Sequence, residues 1–315
     1  MLVNPFVLAN LLLESLLFAL AFVAFVVSLQ VLMWWDFSKN DTLQYRLQKR
    51  IYLVSTIAKY ILSLKIALFL FFIYTLDHLS LVLHGAMCAV GVVDASSYGK
   101  PLLFLKIINL YLFAFWIVLN EEDYRHAELP YTKLKSFLFL TVYLLFGIEL
   151  FLEYSYFADI DPMSLVSCCG AVFSKSGETV LAALLQLPNS LLYGSFYALF
   201  LMLAGAFVFR LYAFYAALSA LFIPVALFTL IGYFGTYIYE LPTHHCPFCL
   251  LQKEYGYIGY ILYTVLFLGT FYGMLSGFFR KQNYLKRSFS FLLIYTLLVS
   301  FYPLWYYMQN GKWLY

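Results

Sequence analysis

Eight long stretches of this chain are almost wholly apolar, and no other feature limits the fold as much. They run over 5–33, 52–76, 102–119, 136–153, 190–209, 212–238, 255–278 and 289–308. A run of about 20 apolar residues, coiled into an α-helix, matches the hydrocarbon core of a bilayer. Lipid offers no water to backbone polar groups, so only helices and closed barrels cross it, and these runs are too long and continuous for barrel strands. With 64% hydrophobic and 11% charged residues, the chain carries more apolar surface than a soluble domain hides. The expectation is an all-α, polytopic membrane protein with about eight transmembrane helices. Run 5–33 reads as the first span rather than a cleavable signal. No basic residue precedes it, and no small-residue cleavage site follows a short apolar core. The 29 tyrosines and 33 phenylalanines suit packing and interfacial anchoring, so they are assigned no chemistry.

Basic residues collect on the cytoplasmic side of membrane proteins. One set of loops holds Lys39, Arg46, Lys49, Arg50, Arg125, Lys133, Lys135, Arg210, Arg280, Lys281, Lys286 and Arg287, whereas the alternate set holds only Lys100, Lys175, Lys253 and Lys312. This predicts both termini outside, in a cell inner (plasma) membrane, with outer loops at 77–101, 154–189 and 239–254. The net charge of +3 then reflects topology and implies no nucleic-acid partner. All five cysteines fall in those outer loops: Cys88 in the first, Cys168 and Cys169 in the second, Cys246 and Cys249 in the third. Cysteines gathered at an oxidising face point to disulfide chemistry more than to packing.

The third loop reads LPTHHCPFCLLQKE, residues 241–254. Its C-x-x-C stands at the predicted start of the seventh span, where a helix dipole would stabilise the attacking thiolate. The rival reading is a metal site built from His244, His245, Cys246 and Cys249, all acceptable ligand types. Four near-adjacent residues seldom all turn to one ion, and no second C-x-x-C completes the set. Leu250 after Cys249 excludes covalent haem attachment. The two histidines also read as a polar cap, as tuners of the thiols or as proton relays. The second loop supplies SCCGAVFSKSGE, 167–178, with 178–187 as a short segment lying flat on the membrane. A disulfide between adjacent cysteines is strained, so Cys168 and Cys169 are each open to other partners.

These motifs resemble the vitamin K epoxide reductase family. Cys169-Gly-Ala-Val-Phe-Ser174 is similar to that family's loop signature, LPNSLLYGSFY (187–197) to its next helix start, and Cys246-Pro-Phe-Cys249 to its C-x-x-C. CPFCLLQKE is also similar to the pattern of DsbB-type enzymes, with lysine for arginine. The resemblance covers about 136–279 and implies a four-helix domain there, holding a quinone (ubiquinone or menaquinone) under the outer surface. It implies that Cys249 faces the quinone, that Cys246 exchanges with Cys169, and that Asn189 and Ser174 lie near the quinone. It further implies that the loop cysteines draw electrons from a periplasmic thioredoxin-fold, DsbA-like protein. By residue type alone, Asn189 reads equally as a helix-start residue and Ser174 as a turn former. The adjacency of Cys168 and Cys169, and the lack of a fused thioredoxin-like block, depart from the family's pattern.

The remaining parts read as an N-terminal membrane region of three helices (1–119), a solvated cytoplasmic linker (120–135), and a loop, last helix and tail (280–315). The loop 84–101, HGAMCAVGVVDASSYGKP, faintly resembles 169–177 as a decayed repeat. Cys88 either pairs with Cys168 or packs as a small apolar residue. Glu14, Lys59, Lys65, Lys106 and Glu149 fall inside predicted spans; such charges are often functional, though the lysines can also snorkel or mark a span boundary. No phosphate loop or serine-nucleophile motif appears. The leading expectation is a thiol:quinone oxidoreductase. The alternatives are a metal-binding membrane module, and a transporter or structural subunit whose outer disulfides brace its loops.

Overall fold

A computed structural model describes residues 1–36, 41–86, 88–126, 128–161 and 187–315. Cys168, Cys169, Ser174 and most of the flat segment 178–187 lie outside these residues. The described chain is helical, and eight of its helices are long and apolar enough to span a membrane. The chain is a multi-pass membrane protein. It divides into two compact units, Met1–Val166 and Ser167–Tyr315.

The first unit contains α1 (Pro5–Trp34), α2 (Thr42–Ser80), a short α3 (Ala89–Asp94), α4 (Gly99–Tyr124) and α5 (Thr132–Asp159). Pro5 opens α1, where its missing N–H costs nothing, and the Asn4 side chain accepts from Phe6 N at 3.0 Å. The Asp41 carboxylate caps α2 through Gln44 N at 2.9 Å. At 39 residues, α2 is about 58 Å long, well beyond the roughly 30 Å hydrocarbon layer. The extra turns carry Arg46, Lys49 and Arg50, whose charge ends the apolar run without ending the helix. The four long helices form a closed ring: α1 packs on α2, α2 on α4, α4 on α5 and α5 on α1. Their core includes Leu17, Ala21, Leu62, Phe113, Trp116, Phe139 and Phe146.

The predicted solvated linker takes another form. α4 continues to Tyr124, and Glu122 and Asp123 are buried. Asp123 accepts from Tyr131 N at 2.7 Å and Thr132 Oγ1 at 3.0 Å, and pairs with Lys135 Nζ at 2.7 Å. One carboxylate thus ties the turn to the first residues of α5, a use of acidic residues that composition alone reads as solvation. The helix predicted to open a 136–279 domain is α5, which belongs with α1 and α4 in the first unit.

The second unit contains α6 (Asn189–Val208), α7 (Tyr212–Thr229), a π-helical turn (Leu230–Phe234), α8 (Gly235–Tyr239), α9 (Ile258–Phe279) and α10 (Gln282–Asn310). α7, the π turn and α8 form one span, Tyr212–Tyr239. These helices also close a ring: α6 packs on α7, α7 on α9, α9 on α10 and α10 on α6. The last contact includes a Tyr197–Ser300 hydroxyl pair at 2.7 Å. Gly273 allows α7 and α9 to approach: a Cβ there would meet Ser219 Oγ at 2.1 Å. In both units the long loop follows the second long helix. Cys88 lies in that loop of the first unit, and Cys246 and Cys249 lie in that of the second. By position in the fold, the Cys88 loop and the C-x-x-C loop are counterparts, whereas 169–177 lies outside the described residues.

Candidate functional site

The C-x-x-C loop begins where α8 stops. Glu240 adopts a left-handed conformation (φ 55°) and turns the chain away, with Leu241 N bonded back to Thr236 O at 3.1 Å. Cys249 then begins a 3₁₀ turn, Cys249–Leu251, and a second turn covers Lys253–Tyr255. Gly256 and Tyr257, both left-handed (φ 63° and 57°), lead into α9 at Ile258. The cysteines therefore precede α9 by two tight turns and do not occupy its N-terminus. The dipole stabilisation expected from the sequence does not operate here, because that field fades within one helical turn.

The loop folds inward. Cys246 and Cys249 are 2% and 7% exposed, and Leu250 is buried between them and α9. Gly259 makes this seat possible, since a Cβ there would meet the Leu250 backbone carbon at 2.9 Å. The two thiol sulfurs lie within 4.8 Å of each other. Tyrosines from both flanking helices hold the first half of the motif: Tyr239 OH donates to the Cys246 carbonyl, and Tyr263 OH to the Pro247 carbonyl at 2.6 Å. Each such bond contributes about 1 kcal/mol net, so the two fix the backbone between the cysteines. Tyr315 OH donates to the Pro242 carbonyl at 3.0 Å and braces the loop's entry.

The ring of His244 packs edge-on against Tyr239 at 4.4 Å, and Tyr255 packs on Tyr239 at 4.6 Å. Partial burial pushes the Tyr255 hydroxyl above its ordinary pKa, reinforced by Cys249, Glu254 and Cys246. The phenol stays protonated beside the thiols. His245 is buried, with Nδ1 3.0 Å from the Ile231 carbonyl in the π turn. A carbonyl only accepts, so Nδ1 carries the proton, and a neutral ring then keeps its lone pair on Nε2. The π turn shifts the helical ladder by one residue, and Gly235 N reaches back to Leu230 O. The Ile231 carbonyl is thereby presented to the loop. The ligand atoms of His244, His245, Cys246 and Cys249 do not converge within metal-binding distance, so the predicted four-ligand metal set does not form.

Asn189 heads α6 and is half-buried; one turn on, Tyr193 packs against Tyr233 of the π turn at 5.2 Å. Cys88 is fully buried and stands at the head of α3 in the first unit. Sequence reasoning missed Tyr295. It lies in the core of the second unit, packed with Phe196 and Phe222 at 6.2 and 6.3 Å, and within electrostatic reach of Tyr263. Its fully buried hydroxyl has no hydrogen-bond partner among the described residues. Among 29 tyrosines no sequence signal marks it. Comparison of the chain with family models, curated proteins and solved structures finds no match.

Proposed function

We propose that the protein is an integral-membrane thiol–disulfide oxidoreductase that passes electrons from a thioredoxin-fold partner outside the cytoplasmic membrane to a membrane quinone. The observation that carries this reading is the Cys-Pro-Phe-Cys turn itself. Two thiols lie within 4.8 Å of each other, on a backbone clamped by two phenols. That separation needs only local movement for a disulfide to form and open.

In this reading the partner's two thiols are oxidised to a disulfide as the loop disulfide involving Cys169 is reduced. The loop dithiol then attacks the Cys246–Cys249 disulfide, Cys246 being the sulfur attacked, and regenerates its own disulfide. Cys249 next gives up the electron pair, the two thiol protons leave with it, and Cys246–Cys249 closes again. A quinone, when bound, would supply the terminal acceptor for these two electrons and two protons. The second unit suits such a planar, carbonyl-bearing molecule. Its interior is aromatic, and the Tyr295 hydroxyl is a buried donor that a carbonyl oxygen would satisfy. Tyr295 and Asn189 would hold the quinone. His245, next in the chain to Cys246, would take and return the thiol proton at Nε2. The positive-inside distribution of basic residues supports cysteine loops on the outer face.

The test is quinone reduction by the purified full-length protein, with a reduced thioredoxin-fold dithiol protein as donor. Turnover in the wild type, and its loss in both Cys249→Ala and Cys169→Ala, is expected. Absence of turnover with every donor and quinone pairing would remove the proposal.

A further inference from the structure

The interior of the first unit holds a cluster that the thiol chemistry does not use. α1 contributes Asn10 and Glu14, α2 Lys65, α4 Lys106 and Asn109, and α5 Glu149 and Glu153. Each of these residues is at most 3% exposed. Lys65 Nζ pairs with Glu14 and lies 2.8 Å from Glu149 Oε1. Lys106 Nζ lies 2.8 Å from both Glu149 Oε1 and Glu153 Oε2, and 3.3 Å from Glu14 Oε1. Asn10 Nδ2 donates to Glu153, and Asn109 Nδ2 to Glu149. Phenylalanine rings close the shell, with Lys65 4.1 Å over Phe146 and Lys106 4.6 Å over Phe72.

Three carboxyl groups face two ammonium groups. Fully ionised, the set carries one surplus negative charge inside a membrane-spanning bundle, where uncompensated charge is costly. One proton removes the surplus. Glu14 and Glu149 each contact both lysines. Glu153 contacts Lys106 alone, and its Oε2 lacks a hydrogen bond despite that 2.8 Å approach. Two further acceptors are open: Asn10 Oδ1 and Asn109 Oδ1 are buried without a hydrogen-bond partner among the described residues. Both belong to amides already tied to the carboxylates. Glu14, Lys65, Lys106 and Glu149 also line a small cavity of about 10 Å³, room for about one water molecule.

We propose that this cluster is an intramembrane proton-binding site, with Glu153 as the carboxyl that takes up and releases the proton. The groups that face Glu153 are Asn10 and Glu14 of α1, Lys65 of α2, Lys106 of α4, and Glu149 and Tyr156 of α5, while Asn109 of α4 bonds to Glu149. Tyr156 OH is committed to the Val92 carbonyl at 2.7 Å. Glu14 and Glu149 each pair with both lysines, which leaves Glu153 as the group whose charge is least compensated. The open amide oxygens offer acceptors to a protonated carboxyl or to a water delivering the proton. The site is built from the first unit alone, so it stands or falls apart from the thiol chemistry.

The experiment is infrared difference spectroscopy of the full-length protein in lipid nanodiscs, across a pH titration in H₂O and in D₂O. The wild type is expected to show a neutral-carboxyl band that grows as pH falls and shifts in D₂O, and this band is lost in Glu153→Gln. Should Glu153→Gln fail to fold, Asn10→Ala is expected to shift the band by removing the hydrogen bond to Glu153. A wild type with no pH-dependent neutral-carboxyl band overturns the proposal. So does a band unchanged in folded Glu153→Gln and Asn10→Ala, or one that responds to sodium at fixed pH, which would make the site a metal-cation site.

Discussion

The two units share a ring of four long helices with the long loop after the second, yet their interiors are built from opposite chemistry. The first unit buries Glu14, Lys65, Lys106, Glu149 and Glu153 at bilayer depth. Among the described residues of the second, no Asp, Glu, Lys or Arg is buried, and the buried polar side chains are hydroxyls and His245. Those hydroxyls bond mostly to backbone carbonyls, as Ser219 does to Tyr215 O at 2.8 Å and Ser288 to Gly269 O at 2.6 Å. The comparison teaches that helix layout does not dictate what a bundle holds. Small residues and phenols in the second unit bring helices close and clamp a thiol loop. Long charged side chains in the first hold helices together through a set that is one cation short.

The contrast can be broken in graded steps. The largest effect is expected from Cys249→Ala, which abolishes quinone turnover while leaving the thermal unfolding temperature near that of the wild type. Lys106→Met comes next. It leaves three buried carboxyl groups with Lys65 alone, and removing one partner from a buried ion set costs about 3–5 kcal/mol. A pronounced fall in unfolding temperature checks this; an unchanged temperature would show that the cluster is not held by its charges. Gly273→Ala tests the second unit's means of packing. Its Cβ would overlap Ser219, and overpacking of this kind costs about 1–3 kcal/mol. Tyr263→Phe removes one hydrogen bond from the loop, worth about 1 kcal/mol, and is expected to slow turnover more than it lowers stability. Lys59→Met is the smallest. The Lys59–Glu121 pair is 41% and 47% exposed, and such pairs are worth at most about 1 kcal/mol. Equal effects of Lys59→Met and Lys106→Met on unfolding would show that the first unit's buried ion set holds its helices no more firmly than an exposed pair does.

Much of the fold was legible because lipid demands long apolar helices, and all eight spans fall where the apolar runs lie. Their ends were less legible. α2 runs ten residues before the predicted start at 52, since Gln44 to Arg50 are good helix formers with too much charge for a hydropathy window. The burial of Asp123 was illegible because a carboxylate that ties one helix to the next looks like any acidic turn residue. Within the first unit's cluster, Glu14, Lys65, Lys106 and Glu149 stood out as charges in apolar runs. Asn10, Asn109 and Glu153 did not, although the signal was present: Asn10–Glu14 and Glu149–Glu153 are four residues apart and Lys106–Asn109 three, so each pair shares a helix face. At the thiol site the C-x-x-C was plain, but its two turns before α9 were not. They depend on left-handed Gly256 and Tyr257, and tyrosine gives no hint of that conformation.

The most direct test of the central claim is a single-turnover thiol-trapping measurement. Full-length protein, reduced and freed of reductant, is mixed with quinone, quenched with an alkylating reagent and mapped by mass spectrometry. Cys246 and Cys249 are expected to lose their alkylation together as a disulfide between them forms, while Tyr295→Phe slows that loss. Cys246 and Cys249 remaining alkylated after quinone addition, with quinone shown to have entered the bilayer, would contradict that claim.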